Sequence, residues 1–181
     1  MGTEIHPRAE VRLNGIWRLA NQNIPSCRNY ITFAALANVR NGYGFAGVPT
    51  HDAIPFISEP RGLPDDLSAG LRDVLSLDPY ALGDHSFSWV TLREMQEYAK
   101  PDVHCTGMCL PDDIIGSGRP KSWCGGVSGP SSEKYVRHDW VESFKYAATT
   151  FVEIQQELEW MIDDERGITA DDIRLVFGFD S

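Results

Sequence analysis

The stretch WVESFKYAATTFVEIQQELEWMIDD, residues 140–164, followed after a short polar interval by IRLVFGF, residues 173–179, decides the fold class of this chain. Phe144, Ala147, Ala148, Phe151, Ile154, Leu158, Met161 and Ile162 recur at helical spacing and form one apolar stripe. Glu153, Glu157, Asp163 and Asp164 fall outside the stripe and read as a solvated face. The spacing therefore predicts a long helix over residues 140–164, stopped by Gly167, with a strand over residues 173–179.

The rest of the chain repeats this mixture of periods. Ser86-Phe87-Ser88-Trp89-Val90 alternates as a strand does, and Thr91-Leu92-Arg93-Glu94 is a capping box that opens a helix to about Lys100, before Pro101. Carboxylates in Pro64-Asp65-Asp66 favour a helix start there, running to about Ser76. Tyr30, Phe33, Ala34 and Ala37 predict a helix over about residues 27–39, with Ser26 as N-cap and Asn41-Gly42 as its stop. Residues 10–20 partly alternate, as a half-buried strand or hairpin would. The segments 42–66 and 101–134 are rich in Gly and Pro and carry no clear period, so the first reads as extended and the second as a long loop. The expectation is a single α+β domain, a small mixed or antiparallel sheet packed on a few helices with heavy functional loops.

Composition limits what such a domain does. The chain has 181 residues, 42% of them hydrophobic and 23% charged, as expected of a globular protein. Its apolar stretches are far shorter than the roughly 20 residues a membrane helix needs. The N-terminal residues lack the apolar core of a signal peptide, which predicts a cytoplasmic protein whose four cysteines are free thiols. A net charge of −10 argues against binding extended nucleic acid, since that depends on many Lys and Arg contacts to phosphate. A local anion site remains compatible with it, and Arg28, Arg40, Arg61, Arg119 and Lys121 lie in or beside the loops.

The unusual residues gather in four runs, at residues 40–47, 59–66, 83–89 and 119–126. Each mixes Gly or Pro with charged, hydroxyl or aromatic side chains, the composition of loops that present chemistry. In the third run His85 can exchange protons near neutral pH, with Asp84, Ser86 and Ser88 to position it; Ser86 and Ser88 would share one face of a strand, and Phe87 and Trp89 the other. The same run also reads as a turn with a structural histidine. Arg61 either grips a phosphate or pairs with Glu59, Asp65 or Asp66. The Gly-rich run around Arg40 and Asn41, and Gly116-Ser117-Gly118-Arg119-Pro120-Lys121-Ser122, approach phosphate-loop patterns without matching one. Trp123 offers a stacking face, and Cys124 lacks a visible base. His104, Cys105 and Cys109, with His85 or Cys124, contain metal-ligand types at a spacing looser than zinc sites use, and no metal is expected. His6, His51 and His138 have no supporting context.

The runs RNY…FAxLAxVRNG from Arg28, ISEPRGLP from Ile57, DHSFSW from Asp84 and SWCGG from Ser122 resemble a family of small uncharacterised bacteriophage and prophage proteins. The closing residues 173–180 are similar to that family's C-terminal strand. The resemblance implies a phage accessory protein in the host bacterial cytoplasm. From the residue types, the expected function is binding of a small anionic, nucleotide-like ligand, which in a phage setting would sequester a host defence signal. Arg40, Arg61 and Arg119 would meet phosphates, Trp89 or Trp123 would stack on a base, and Asn41, Asp84, His85, Ser86 and Ser88 would complete the site. One alternative is a hydrolase or transferase using His85 as general acid/base, and another is an inhibitor of a host protein acting through an acidic face. No cofactor is expected, and a homo-oligomer stays open. If the runs form one site, all four converge in space.

Overall fold

A computed structural model of the chain describes residues 2–180 and is a mixed α+β structure. Strands β1 (Ile5–Leu13), β2 (Ile16–Leu19), β3 (His85–Thr91) and β6 (Ile173–Phe179) form an antiparallel sheet in the order β2-β1-β6-β3. A separate hairpin pairs β4 (Val103–Cys109) with β5 (Val136–Glu142). The helices are α1 (Tyr30–Ala37), α2 (Ala69–Leu77), α3 (Leu92–Glu97), α4 (Phe144–Ala147) and α5 (Thr149–Glu159). Among the described residues no helix is long and apolar enough to cross a membrane.

The hairpin expected within residues 10–20 forms on Asn14-Gly15, both at positive φ, as a tight turn between twisted strands requires. Strand β6 lies inside the sheet and is buried along its whole length. Its Ile173, Leu175, Phe177 and Phe179 join the main core with Phe33, Leu36, Phe151 and Leu158. Its Val176 faces a second layer with Leu67, Leu71 and Leu82. Arg174 points the same way as Val176, since alternate residues share a face. Its guanidinium is 2% exposed against Glu10 at 0%, at 2.7 Å, and also pairs with Asp66 at 2.6 Å. It lies 4.0 Å above the Trp17 ring.

Several boundaries differ from the sequence expectation, each for a physical reason. Helix α1 starts at Tyr30 because Asn29, rather than Ser26, caps it, its Oδ1 accepting from the Thr32 amide at 2.8 Å. It ends at Asn38 in the left-handed region, ahead of Asn41-Gly42. Helix α2 waits for Ser68 as its N-cap, because Asp66 is committed to Arg174 and Trp17. The capping box of Thr91 and Glu94 is present, but α3 stops at Glu97. Residues 101–134 are not one long loop. Val103, Cys105, Gly107 and Cys109 alternate inward to make β4.

The long helix over residues 140–164 is replaced by β5, α4 and α5, with a break at Ala148 (φ −118°, ψ 52°). Its apolar stripe from Phe144 to Leu158 is nonetheless buried. The break is enforced from α1. A continuous helix would bond the Phe151 amide to the Ala147 carbonyl. Instead Phe151 donates to Thr32 Oγ1 at 3.1 Å, and the Ala147 carbonyl accepts from Asn29 Nδ2 at 2.9 Å. One amide side chain thus starts α1 and holds the α4–α5 corner beside it. Asn29→Asp keeps the cap but puts an acceptor against the Ala147 carbonyl. It is expected to lower stability by about 1–2 kcal/mol in urea unfolding, a bond lost and an acceptor left facing an acceptor; an unchanged midpoint would contradict this role.

Candidate functional site

The four runs meet as two pairs rather than at one place. Residues 59–66 and 83–89 come together as a brace. The Arg61 amide donates to Ser88 Oγ at 3.1 Å, and the Gly62 amide to the Phe87 carbonyl at 2.8 Å. The Arg61 guanidinium forks onto Glu94 at 2.6 and 3.0 Å and lies 4.9 Å over the Trp89 ring. Its partner is therefore Glu94, not Glu59, Asp65 or Asp66. Burial works to raise the Glu94 carboxyl, and the bonds from Arg61 and Thr91 outweigh it and hold it below the usual range.

His85 is engaged on both ring nitrogens. Its Nε2 lies 3.3 Å from the Asp180 carbonyl, which only accepts, so Nε2 carries the proton. Its Nδ1, 2.9 Å from Ser86 Oγ, then accepts from that hydroxyl. A β-bulge separates His85 from Ser88, with Ser86 at φ 51°, so Ser86 and Ser88 do not share a face as a regular strand would have them. Ser88 is fully buried, and Asp84 is exposed with its amide on the Phe179 carbonyl. Asn41 clamps Ile54 by donating to its carbonyl and accepting from its amide.

The other two runs, 40–47 and 119–126, do form a cleft. The segment around Thr50 and His51 bonds along β4, with the Thr106 amide on the Thr50 carbonyl and the Asp52 amide on the His104 carbonyl. Cys124 bonds to Met108 farther along the same edge, so β4 gathers both loops. Trp123 lies across Gly107, where a Cβ would sit 2.6 Å from Cε3 of the indole, and meets Trp140 edge-on at 5.1 Å. Tyr30, at the start of α1, and Tyr146, on α4, also line the cleft.

Two adjoining cavities result. A smaller one of about 320 Å³, with charged side chains in its wall, is lined by Arg28, Arg119, His51, Cys105, Glu142 and Tyr146, among others. A more apolar one of about 740 Å³ is lined by Phe45, Val48, Cys124, Gly125 and Val127, among others. Arg28, Tyr30, Thr50 and Trp123 line both. Neither lining includes a residue of 59–66 or 83–89. Arg40 stands behind the wall, its Nε on Thr3 Oγ1 at 2.7 Å and its guanidinium 5.4 Å over the Tyr30 ring. Of the expected site residues, Arg119 and Trp123 line the cleft.

The side chains of Arg28 and Arg119 are 65% and 55% exposed, and each faces one acid. Glu4 lies 3.7 Å from Arg28, and Glu142 accepts from Arg119 at 2.8 Å. His51 is buried. Its Nε2 accepts from the Gly42 amide at 3.1 Å, so Nδ1 bears the proton and donates to Thr50 Oγ1 at 3.2 Å. Burial depresses the imidazole below its ordinary 6.5, against a smaller opposing pull from Asp52. Burial, reinforced by Glu142, pushes the Cys105 thiol up to about 12. His104 and Cys105 alternate to opposite faces of β4, and no group of three or more His, Cys, Asp or Glu among the described residues could hold a metal ion.

Tyr30, Thr50, His51, Glu142 and Tyr146 are the site residues that sequence reasoning missed, and in the sequence Arg28 stands out only as a cation beside the loops. Arg28 beside Asn29-Tyr30 was the nearest signal, a cation and a ring at a helix start. The His51 state has a consequence for stability. The unfolded chain takes up a proton below pH 6.5 that the folded chain resists, so stability falls as pH drops below 6.5. His51→Gln is expected to flatten that limb by up to about 1.4 kcal/mol per pH unit, read from urea midpoints across the acid range. No protein-family model, curated protein or solved structure matches this chain.

Proposed function

We propose that this protein binds a small anionic, nucleotide-like ligand in the cleft between Arg28 and Arg119. The observation that carries the reading is the pairing of two half-exposed guanidiniums at one cavity with aromatic walls from Tyr30, Trp123 and Tyr146. Guanidinium forks suit phosphate oxygens, and aromatic faces accept a planar ring. Such a site is local and coexists with a net charge of −10.

Binding is favoured over turnover by the state of the reactive groups in the cleft. His51 is neutral with both nitrogens engaged, and the Cys105 thiol donates to the Val103 carbonyl at 3.7 Å with its ionisation suppressed. A base needs a free nitrogen and a nucleophilic cysteine needs its thiolate. The resemblance of the loop runs to phage proteins supplies a setting in which such binding withdraws a host signal nucleotide from circulation.

The test is retention. The purified protein is incubated with a panel of linear and cyclic nucleotides, desalted and denatured, and the released ligand is weighed by mass spectrometry. Intact ligand supports binding; chemically altered ligand points to catalysis instead. If no member of the panel is retained, the reading fails.

A further inference from the structure

Resting on the anion-binding reading above, we infer that the cleft selects a ribonucleotide: Arg28 and Arg119 take the phosphate, Thr50 donates to it, Glu142 accepts from a ribose hydroxyl, and the base enters the apolar cavity beside Trp123. The inference starts from two groups that phosphate binding alone leaves unexplained.

The first is Glu142. Its side chain is 12% exposed in the wall of the smaller cavity, fixed by Arg119 at 2.8 Å and by Trp140 Nε1 at 3.4 Å. A carboxylate beside two guanidiniums opposes a bare anion, because like charges at short range repel. It suits a ligand that places a hydrogen-bond donor next to its anion. A ribose hydroxyl does this, and carboxylates recognise ribose in that way in dinucleotide-binding folds.

The second is Thr50, which lines both cavities. Because His51 Nε2 accepts from Gly42, His51 must donate through Nδ1, and Thr50 Oγ1 must accept. The Thr50 proton is then free to donate, and it has no acceptor among the described residues. His51 thus acts as a positioning residue that fixes Thr50 as a donor at the junction of the two cavities. The larger cavity carries no charged wall beyond the shared Arg28; Phe45, Val48 and Val127 give it an apolar lining. Cations, a hydroxyl donor, a carboxylate and an apolar chamber thus line two cavities that share walls, the groups that phosphate, sugar and base require.

Titration calorimetry tests this with each common ribonucleoside 5′-monophosphate, its 2′,3′-dideoxy counterpart and inorganic phosphate. The preferred ribo form is expected to bind about tenfold more tightly than its dideoxy counterpart, the scale of a hydrogen bond to a charged group. In Glu142→Gln that preference should shrink severalfold. Thr50→Val should weaken both series by about tenfold, with Thr50→Ser restoring them, since only the hydroxyl distinguishes the two variants. Equal binding of ribo and dideoxy forms, or a ribose preference undiminished in Glu142→Gln, overturns this inference and leaves the anion site standing. Failure of every nucleotide and of phosphate to bind overturns the anion site as well.

Discussion

Arg174→Met is expected to lower the unfolding free energy by about 3–5 kcal/mol, because it leaves a buried carboxylate without its partner. Glu10 is fully buried, with one oxygen on Arg174 Nε at 2.8 Å and the other accepting from the Ser68 amide at 2.9 Å. The Arg174 guanidinium also reaches the Asp66 carboxylate at 2.6 Å and the Asp66 carbonyl at 3.1 Å, while Trp17 Nε1 donates to Asp66 at 2.9 Å. The cluster thereby ties β1, β2 and β6 to the segment that starts α2. Methionine fills much of the same space but answers none of these acceptors. The comparison that isolates the charge is the double variant Glu10→Gln/Arg174→Met. Its neutral amide still accepts from Ser68, so it should recover a large part of the loss. A single variant within about 1 kcal/mol of the parent, well below the cost of an unpaired buried charge, would remove this account of the sheet's second face.

The second large effect concerns the cleft. The double variant Arg28→Ala/Arg119→Ala is expected to weaken binding of a nucleoside monophosphate by about a hundredfold or more, since each charged hydrogen-bonding group contributes about 1.5–3 kcal/mol. The two changes should not be equal. Removing Arg119 also releases Glu142 from its partner and leaves its carboxylate facing the anion, so Arg119→Ala should cost more than Arg28→Ala. Lysine at either position should rescue only in part, because it keeps the charge and loses the planar fork. Binding should weaken with added salt, as expected for partly exposed charges. The Arg28 side chain is 65% exposed and its acid, Glu4, is itself partly exposed, so Arg28→Ala should barely move the unfolding midpoint, which separates lost recognition from lost structure. Arg61→Ala provides the contrast. Its guanidinium belongs to Glu94 and Trp89, so binding should stay within about twofold of the parent, a fraction of a kcal/mol.

These contrasts mark what the sequence exposes and what it hides. Strand β6, the β3-to-α3 capping box and the Asn14-Gly15 hairpin are legible because local pattern and tertiary burial agree there. Strand β4 is hidden because Cys and Gly carry most of its inward alternation, and neither residue type signals a strand. The long helix is misread because its break is imposed by Thr32 and Asn29, more than a hundred residues earlier in the chain. Loop composition marks chemical richness without saying how it is spent. In residues 59–66 and 83–89 it is spent on bracing, with Arg61, Ser88 and His85 satisfied internally. In residues 119–126 it faces a cavity, which forms only when Arg28, Thr50 and Glu142 arrive from distant segments. Such convergence follows from the pairing of β4, which no local spacing announces.

The most direct test of the central claim is a crystal structure of the protein with a nucleoside monophosphate retained from the panel. The phosphorus is expected between the guanidiniums of Arg28 and Arg119, with the ring beside Trp123. A ligand bound instead at His85 and Ser86, or a cleft left empty while the protein holds ligand elsewhere, would contradict it.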